Sequence, residues 1–325
     1  MKNILLLLSL GAILTSCLKE EIAISKPQKT NVNSYVTSLS LGPEYKTQLY
    51  YNLEKEEIIL TADREAWDLA FETTADGYRI LINNGRMGAL KLLNTNDFAA
   101  ITTNPNSEWG YDPASANLDS TFIGDWRNKD NIYLVDLGSN SLGASMGKYK
   151  LRILSVTETD YTIEYCKLNK TTPQQATISK EADYNFSLFN LRSGAQVTFA
   201  NTPKKTEFDI CLRTYTHIYE DGMPYLVVGC MLNDYKTAAS MIHTSNFDDV
   251  SYEDALGLVY RSNVDAIGFE WKIYDFDEST YSIDPNKVFI IKTQNGNYFK
   301  IRFLDFYDEF GVKGSVKVEI QKLVG

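Results

Sequence analysis

VFIIKTQNGNYFKIRFLDFYDEFGVKGSVKVEIQKL, Val288 to Leu323, decides the fold class. Val288–Thr293 and Tyr298–Tyr307 are runs of β-branched and aromatic residues, separated by Asn295-Gly296. Asn-Gly accepts positive φ at both turn positions, so the spacing predicts a tight type I′ hairpin. Lys300, Arg302 and Asp305 interleave with Phe299, Ile301, Phe303 and Leu304, which predicts one apolar and one charged face. A glycine-punctuated turn, Phe310 to Gly314, leads to a third alternating strand, Val316–Leu323. The stretch reads as an antiparallel β-meander.

Upstream, much of the chain reads as a second edition of the same unit. Trp67-Asp68-Leu69-Ala70-Phe71 is echoed by Phe208-Asp209-Ile210-Cys211-Leu212, and Ile80–Asn83 by Cys230–Asn233. Tyr51-Asn52-Leu53 returns as Phe189-Asn190-Leu191, and Gly147–Arg152 as Gly296–Arg302. The matches keep their order, so the expectation is a tandem duplication of one β-rich unit. The predicted fold is all-β: two tandem, duplicated antiparallel β-meander units with little helix. The first unit spans 43–170, a polar linker with Pro173 spans 171–183, and the second unit spans 184–325. A merged sheet shared by the two halves is the alternative arrangement. The clearest helical turn is Ser251–Leu256, with Ser251 as N-cap and acids in its first turn.

Residues 1–16 read as a signal peptide: Lys2 supplies the charge, and Ile4–Leu14 is apolar but too short to stay as a spanning helix. Leu14-Thr15-Ser16-Cys17 has the form of a bacterial lipobox, which predicts cleavage before Cys17 and lipidation of its thiol. Several acyl chains anchor far better than one, so a lasting membrane anchor is expected. Residues 17–42 read as a lipidated tether, and Lys19-Glu20-Glu21 resembles an export signal to the outer face of the outer membrane.

The net charge of −10 and the lack of a basic block exclude nucleic acid as a partner. No H-E-x-x-H and no P-loop occurs, and an enzyme is not expected. Besides Cys17 there are Cys166, Cys211 and Cys230. Cys211 and Cys230 either pair across neighbouring strands or stay as buried thiols.

WDLAFET (Trp67–Thr73), IGFEWK (Ile267–Lys272), IIKTQNGNYFKIRFLDFY (Ile290–Tyr307) and the terminal VEIQKL together resemble the HmuY family of bacterial haem-binding lipoproteins. The resemblance runs from about Tyr45 to Leu323. It implies an all-β fold and a haemophore at the cell surface. Such a protein takes haem, free or from host haemoproteins, and feeds a TonB-dependent outer-membrane receptor. Characterised members hold iron between two histidines or two methionines, but no motif here maps onto those ligands residue by residue.

The ligands must therefore be sought in this chain. Its two histidines are His217 and His243. Read as a three-strand meander, Glu207–Thr216, Tyr225–Leu232 and Lys236–His243 put both imidazoles at one end, two inter-strand spacings apart. Such a pair clamps a flat iron macrocycle. Met223 and Met241 lie on the same edge as alternative ligands, and Tyr215, Tyr219 and Tyr225 are the candidate ring contacts. The competing reading is an accessory binding or adhesion module without haem, recognising protein or glycan through Tyr-rich loops.

Overall fold

The computed structural model describes residues 33–325; the signal peptide, Cys17 and most of the tether expectation lie outside the described residues. Twenty strands account for most of the regular secondary structure among the described residues. The first half holds β1 (Tyr35–Ser40), β2 (Thr47–Asn52), β3 (Glu57–Asp63), β4 (Leu69–Glu72), β5 (Ile80–Ile82), β6 (Ala89–Leu93), β7 (Ile132–Asp136), β8 (Lys148–Val156) and β9 (Asp160–Lys167). Then come β10 (Gln174–Ser179), β11 (Phe186–Asn190), β12 (Ala195–Gln196), β13 (Ile210–Ile218), β14 (Pro224–Leu232) and β15 (Ala238–His243). The chain ends with β16 (Lys272–Asp275), β17 (Thr280–Ile283), β18 (Lys287–Lys292), β19 (Tyr298–Tyr307) and β20 (Lys313–Leu323). Helix is confined to short pieces, α1 (Thr198–Asn201) and α2 (Tyr252–Leu256), plus two 3-10 turns. Ser251 closes the expected capping box on α2 with Asp254.

Two five-stranded sheets carry the meanders, in the orders β1-β20-β19-β18-β15 and β10-β9-β8-β7-β6. Two four-stranded sheets, β14-β13-β2-β3 and β12-β11-β4-β5, each join strands from both halves. Tyr51 pairs with Ile210, and Leu69 with Phe189, both antiparallel. The all-β architecture is as expected, and of the two arrangements left open, these sheets are the shared kind.

The segment 171–183, expected as a linker, contains β10, which pairs with β9 from Gln174↔Tyr165 to Ser179↔Asp160. The tether range likewise contains β1, which pairs with β20 from Tyr35↔Ile320 to Ser40↔Ser315. Both are edge strands with mostly exposed side chains; Ile178 and Leu39 are their buried residues. An edge strand is held by backbone bonds along one side, so its sequence need not show an apolar period.

The terminal hairpin also departs from expectation. Gly296 has positive φ (81°) but Asn295 does not, and Thr293 N–H reaches Asn297 O at 2.9 Å. The connection is a three-residue loop with glycine in the left-handed position, not a type I′ turn. Its side chains dock elsewhere: Thr293, Asn295 and Asn297 all donate to Glu54 Oε1, at 3.1, 3.1 and 2.9 Å.

The same buried hydrogen bonds occur in both halves. Asn83 Nδ2 donates to the carbonyls of Arg64 and Trp67, and Asn233 Nδ2 to those of Lys205 and Phe208. Leu191 N–H donates to Asp68 Oδ2 at 2.7 Å, and Leu53 N–H to Asp209 Oδ2 at 2.8 Å. Asp68 also holds Arg86 at 2.7 Å with both side chains fully buried. Asp209 has no cation within ion-pair distance among the described residues, and burial pushes its carboxyl up to about 6.

Lys300, expected on a charged face, is also buried, at 1% exposure, as is Lys150 at 0%. Lys150 Nζ donates to the carbonyls of Phe98, Ile101 and Lys170. Lys300 Nζ donates to Phe247 O (2.7 Å) and Val250 O (3.0 Å). Each ammonium ties the loop after the first meander strand to the sheet. Replacing Lys300 by Met keeps the bulk but strips those carbonyls of their donor. Urea unfolding is expected to show a loss of about 2–3 kcal/mol, whereas Lys317→Met, on an exposed position of β20, changes stability by less than about 0.5 kcal/mol.

Candidate functional site

The β13–β14 hairpin runs well beyond its counterpart in the first half. β13 and β14 have nine residues each, whereas β4 and β5 have four and three. β13 and β14 pair without a break from Ile210↔Leu232 to Ile218↔Pro224. The extra length carries the sheet out to a tip, Tyr219–Met223, closed by Tyr219 N–H to Met223 O (3.0 Å) and Gly222 N–H to Tyr219 O (2.8 Å). Gly222 takes φ of 83° there, a conformation that favours glycine.

His217 stands opposite Tyr225 in this register. Its ring lies 4.8 Å from that of Tyr219, nearly perpendicular, and 4.8 Å from that of Phe269. Tyr219, Met223 and Tyr225 are all exposed. Tyr215 is not: it is 1% exposed and packs with Val227 and Met231 in the interior. Strand alternation sends His217 to the same face as Tyr215, but two residues nearer the tip, where the cover ends. Tyr215 is therefore core and has no surface to offer a ligand.

His243 and Met241 lie on β15, which is not the third strand of this meander. β15 pairs with β18, with Met241 opposite Phe289 and His243 opposite Lys287. Residues 261–268 run between β14 and β15 instead. Leu232 N–H donates to Val264 O (2.7 Å), Cys230 bridges Gly268, and Ala239 bridges Arg261. Gly229 permits this approach, since a Cβ there would sit 2.6 Å from Gly268 O. His217 and His243 thus belong to different sheets, separated by β14 and an inserted segment. The two-spacing geometry expected from sequence does not form, because a segment twenty residues downstream takes the place beside β14.

The same register answers the cysteine question. Cys211 stands opposite Met231, and Cys230 opposite Leu212. The one-residue offset puts them on opposite faces of the sheet, in different apolar clusters. Cys166, Cys211 and Cys230 are free and buried.

A second hairpin, β16–β17, adjoins the tip and was not foreseen. It exposes Ile273, Tyr274 and Phe276, the last 84% exposed. Tyr281 on β17 lies 4.8 Å from Tyr274. Its hydroxyl is raised above the usual phenol range by burial first, then by the neighbouring Tyr225, Tyr274, Tyr307 and Tyr219 hydroxyls. The two hairpins thus form one aromatic rim.

Lys272 sits beneath that rim, 6% exposed, with its Nζ donating to Val228 O. The rings of Trp271, Phe306, Phe269 and Tyr281 surround the ammonium at 4.5, 5.3, 5.5 and 5.6 Å. Among the described residues no carboxylate comes within ion-pair distance of it, and burial lowers it to about 7. The signal available in the sequence was IGFEWK itself, a lysine set directly after a tryptophan.

Because Lys272 is lowered from 10.5 to about 7 in the folded protein, the unfolded chain holds the extra proton between those values. Stability then rises with pH across that window. Lys272→Met is expected to stabilise the protein by on the order of 1–3 kcal/mol at pH 7. The gain should shrink toward zero near pH 10.5, as followed by denaturant unfolding across pH.

A family model described as HmuY protein matches residues 44–319. No curated protein matches the chain. Among solved structures, the chain is similar to apo PinO from Porphyromonas gingivitis at 12% identity, covering 90% of this chain and 100% of that one, with a TM-score of 0.35. It is similar at 11% identity to a Bacteroides vulgatus protein described as HmuY-like and heme-binding, covering 90% and 95%, TM-score 0.25. An apo HmuY analog from Tannerella forsythia is also 11% identical, covering 90% and 98%, TM-score 0.25.

Proposed function

The chain belongs to the HmuY family, and from that membership we propose that it is a haem-binding protein that holds its ligand at the aromatic rim around the β13–β14 tip. The observation that carries the reading is the rim itself: a half-buried imidazole, His217, beside exposed Tyr219 and Tyr225 on a hairpin extended only in this half. A planar macrocycle gains from aromatic faces, and imidazole is a good axial donor for iron.

His217 and His243 are the proposed axial pair, with Met223 and Met241 as the alternative. In either pair one side chain comes from the β13–β14 hairpin and the other from β15. Haem is bound cargo in this reading, and the protein is a carrier, not an enzyme. The wider role proposed is that of an outer-membrane lipoprotein, anchored through Cys17 and exposed at the surface. It would take haem, free or from host haemoproteins, and pass it to a TonB-dependent receptor. We further propose that the chain is built from two duplicated units, 43–170 and 184–325, joined through 171–183.

Exposed Met223, Ile273 and Phe276 favour one second reading, an accessory module that docks a protein or glycan through the rim without haem. Haemin titration separates the two. The expected result is a saturable Soret shift at one haem per chain, with affinity reduced at least tenfold in His217→Ala/His243→Ala. Loss in Met223→Ala/Met241→Ala instead would transfer the ligand role to the methionines. Absence of any Soret shift in the wild-type chain would refute haem binding and leave the docking reading.

A further inference from the structure

A cavity of about 130 Å³ lies at the other end of the β13–β14 hairpin from the rim, where the two shared sheets meet. Its walls come in matched pairs from the two halves: Trp67 and Phe208, Ala70 and Cys211, Ile82 and Leu232. Ala70 and Cys211 are small, so the aromatic and aliphatic walls do not close on each other. The volume is comparable to the roughly 150 Å³ apolar cavity known to take benzene. A haem needs far more room, so this space is not a haem site.

The polar groups on its wall divide into committed and uncommitted. Asp112 accepts from the N–H groups of Ile82 and Phe122, both at 2.9 Å. Asp234 is held by Arg79 at 2.5 Å. Asn185 donates to Asn233 Oδ1 at 2.7 Å. One cation remains uncommitted. Arg213 gives one nitrogen to Asn84 Oδ1 at 2.5 Å. Among the described residues it has no carboxylate within ion-pair distance. A guanidinium without a counter-charge favours an anion beside it.

We propose that this cavity is a second binding site, for a small aromatic monocarboxylate of about benzene size. The ring would lie against the apolar walls of Trp67 and Phe208, and the carboxylate would pair with the Arg213 guanidinium. An apolar lining with a few convergent polar groups is the usual make-up of a small-molecule site, and guanidinium with carboxylate is its strongest polar pairing. The site is independent of haem and of the rim.

Sodium benzoate and benzene are the two probes, titrated into the full chain. The indole N–H resonance of Trp67, one of four tryptophans, is identified by its loss in Trp67→Phe. Benzoate is expected to shift that resonance saturably. Arg213→Gln should weaken benzoate at least tenfold while leaving benzene unchanged, and Ala70→Leu should abolish both by filling the space. His217→Ala/His243→Ala should bind benzoate as the wild type does. If Arg213→Gln does not fold, Arg213→Lys replaces it, with an expected severalfold loss for benzoate alone. The proposal is overturned if benzoate leaves the Trp67 resonance in place, if only benzene binds, or if the Arg213 variant binds benzoate with wild-type affinity.

Discussion

The pairing of strands across the two halves is the constraint on which the rest of the structure depends. β2 completes the sheet of β13, β11 completes that of β4, and β1 closes the free edge of β20. A meander left alone would present unpaired backbone groups along its outer strand. Here the outer edge of β20 is covered by a segment far away in sequence. Separating the halves would strip hydrogen bonds from three sheets at once. The buried side-chain anchors sit on those junctions: Asn52 Nδ2 reaches Glu207 O, and Asn190 Nδ2 reaches Ala66 O.

Against that matched frame, the differences between the halves stand out as the places where chemistry concentrates. The β13–β14 hairpin runs past the point where β4 and β5 stop, and its tip carries the aromatic rim. Arg86 neutralises Asp68, but the second half leaves Asp209 without a cation and burial raises it to about 6. Lys272 is buried among four rings, while Arg127, at the matching place after Trp126, lies exposed over Tyr78 in a pair with Asp125. Charges buried without an opposite charge reduce stability.

The alternating runs at Val288–Leu323 were enough to establish antiparallel β-structure, because a period of two with aromatic and β-branched residues fits a pleated, half-buried surface. The echoed motifs, WDLAF with FDICL and ILIN with CMLN, were legible because in both halves a buried Asn donates to two backbone carbonyls and a buried Asp accepts from a backbone N–H. β1 and β10 were not legible. Their stability comes from backbone bonds to β20 and β9, and side-chain periodicity does not record those. Nor was the fate of Lys300 legible, since the carbonyls that hold it belong to residues 247 and 250.

By itself, then, the sequence determined the class of fold and the residues that name the family, since these rest on local periodicity and short-range spacing. Only the tertiary structure decided which strands are neighbours. The insertion of residues 261–268 beside β14 put His217 and His243 in different sheets, and the β13–β14 register set Cys211 and Cys230 on opposite faces. Each of these follows from pairing between segments distant in sequence, and a one-residue change of register reverses the face every side chain occupies.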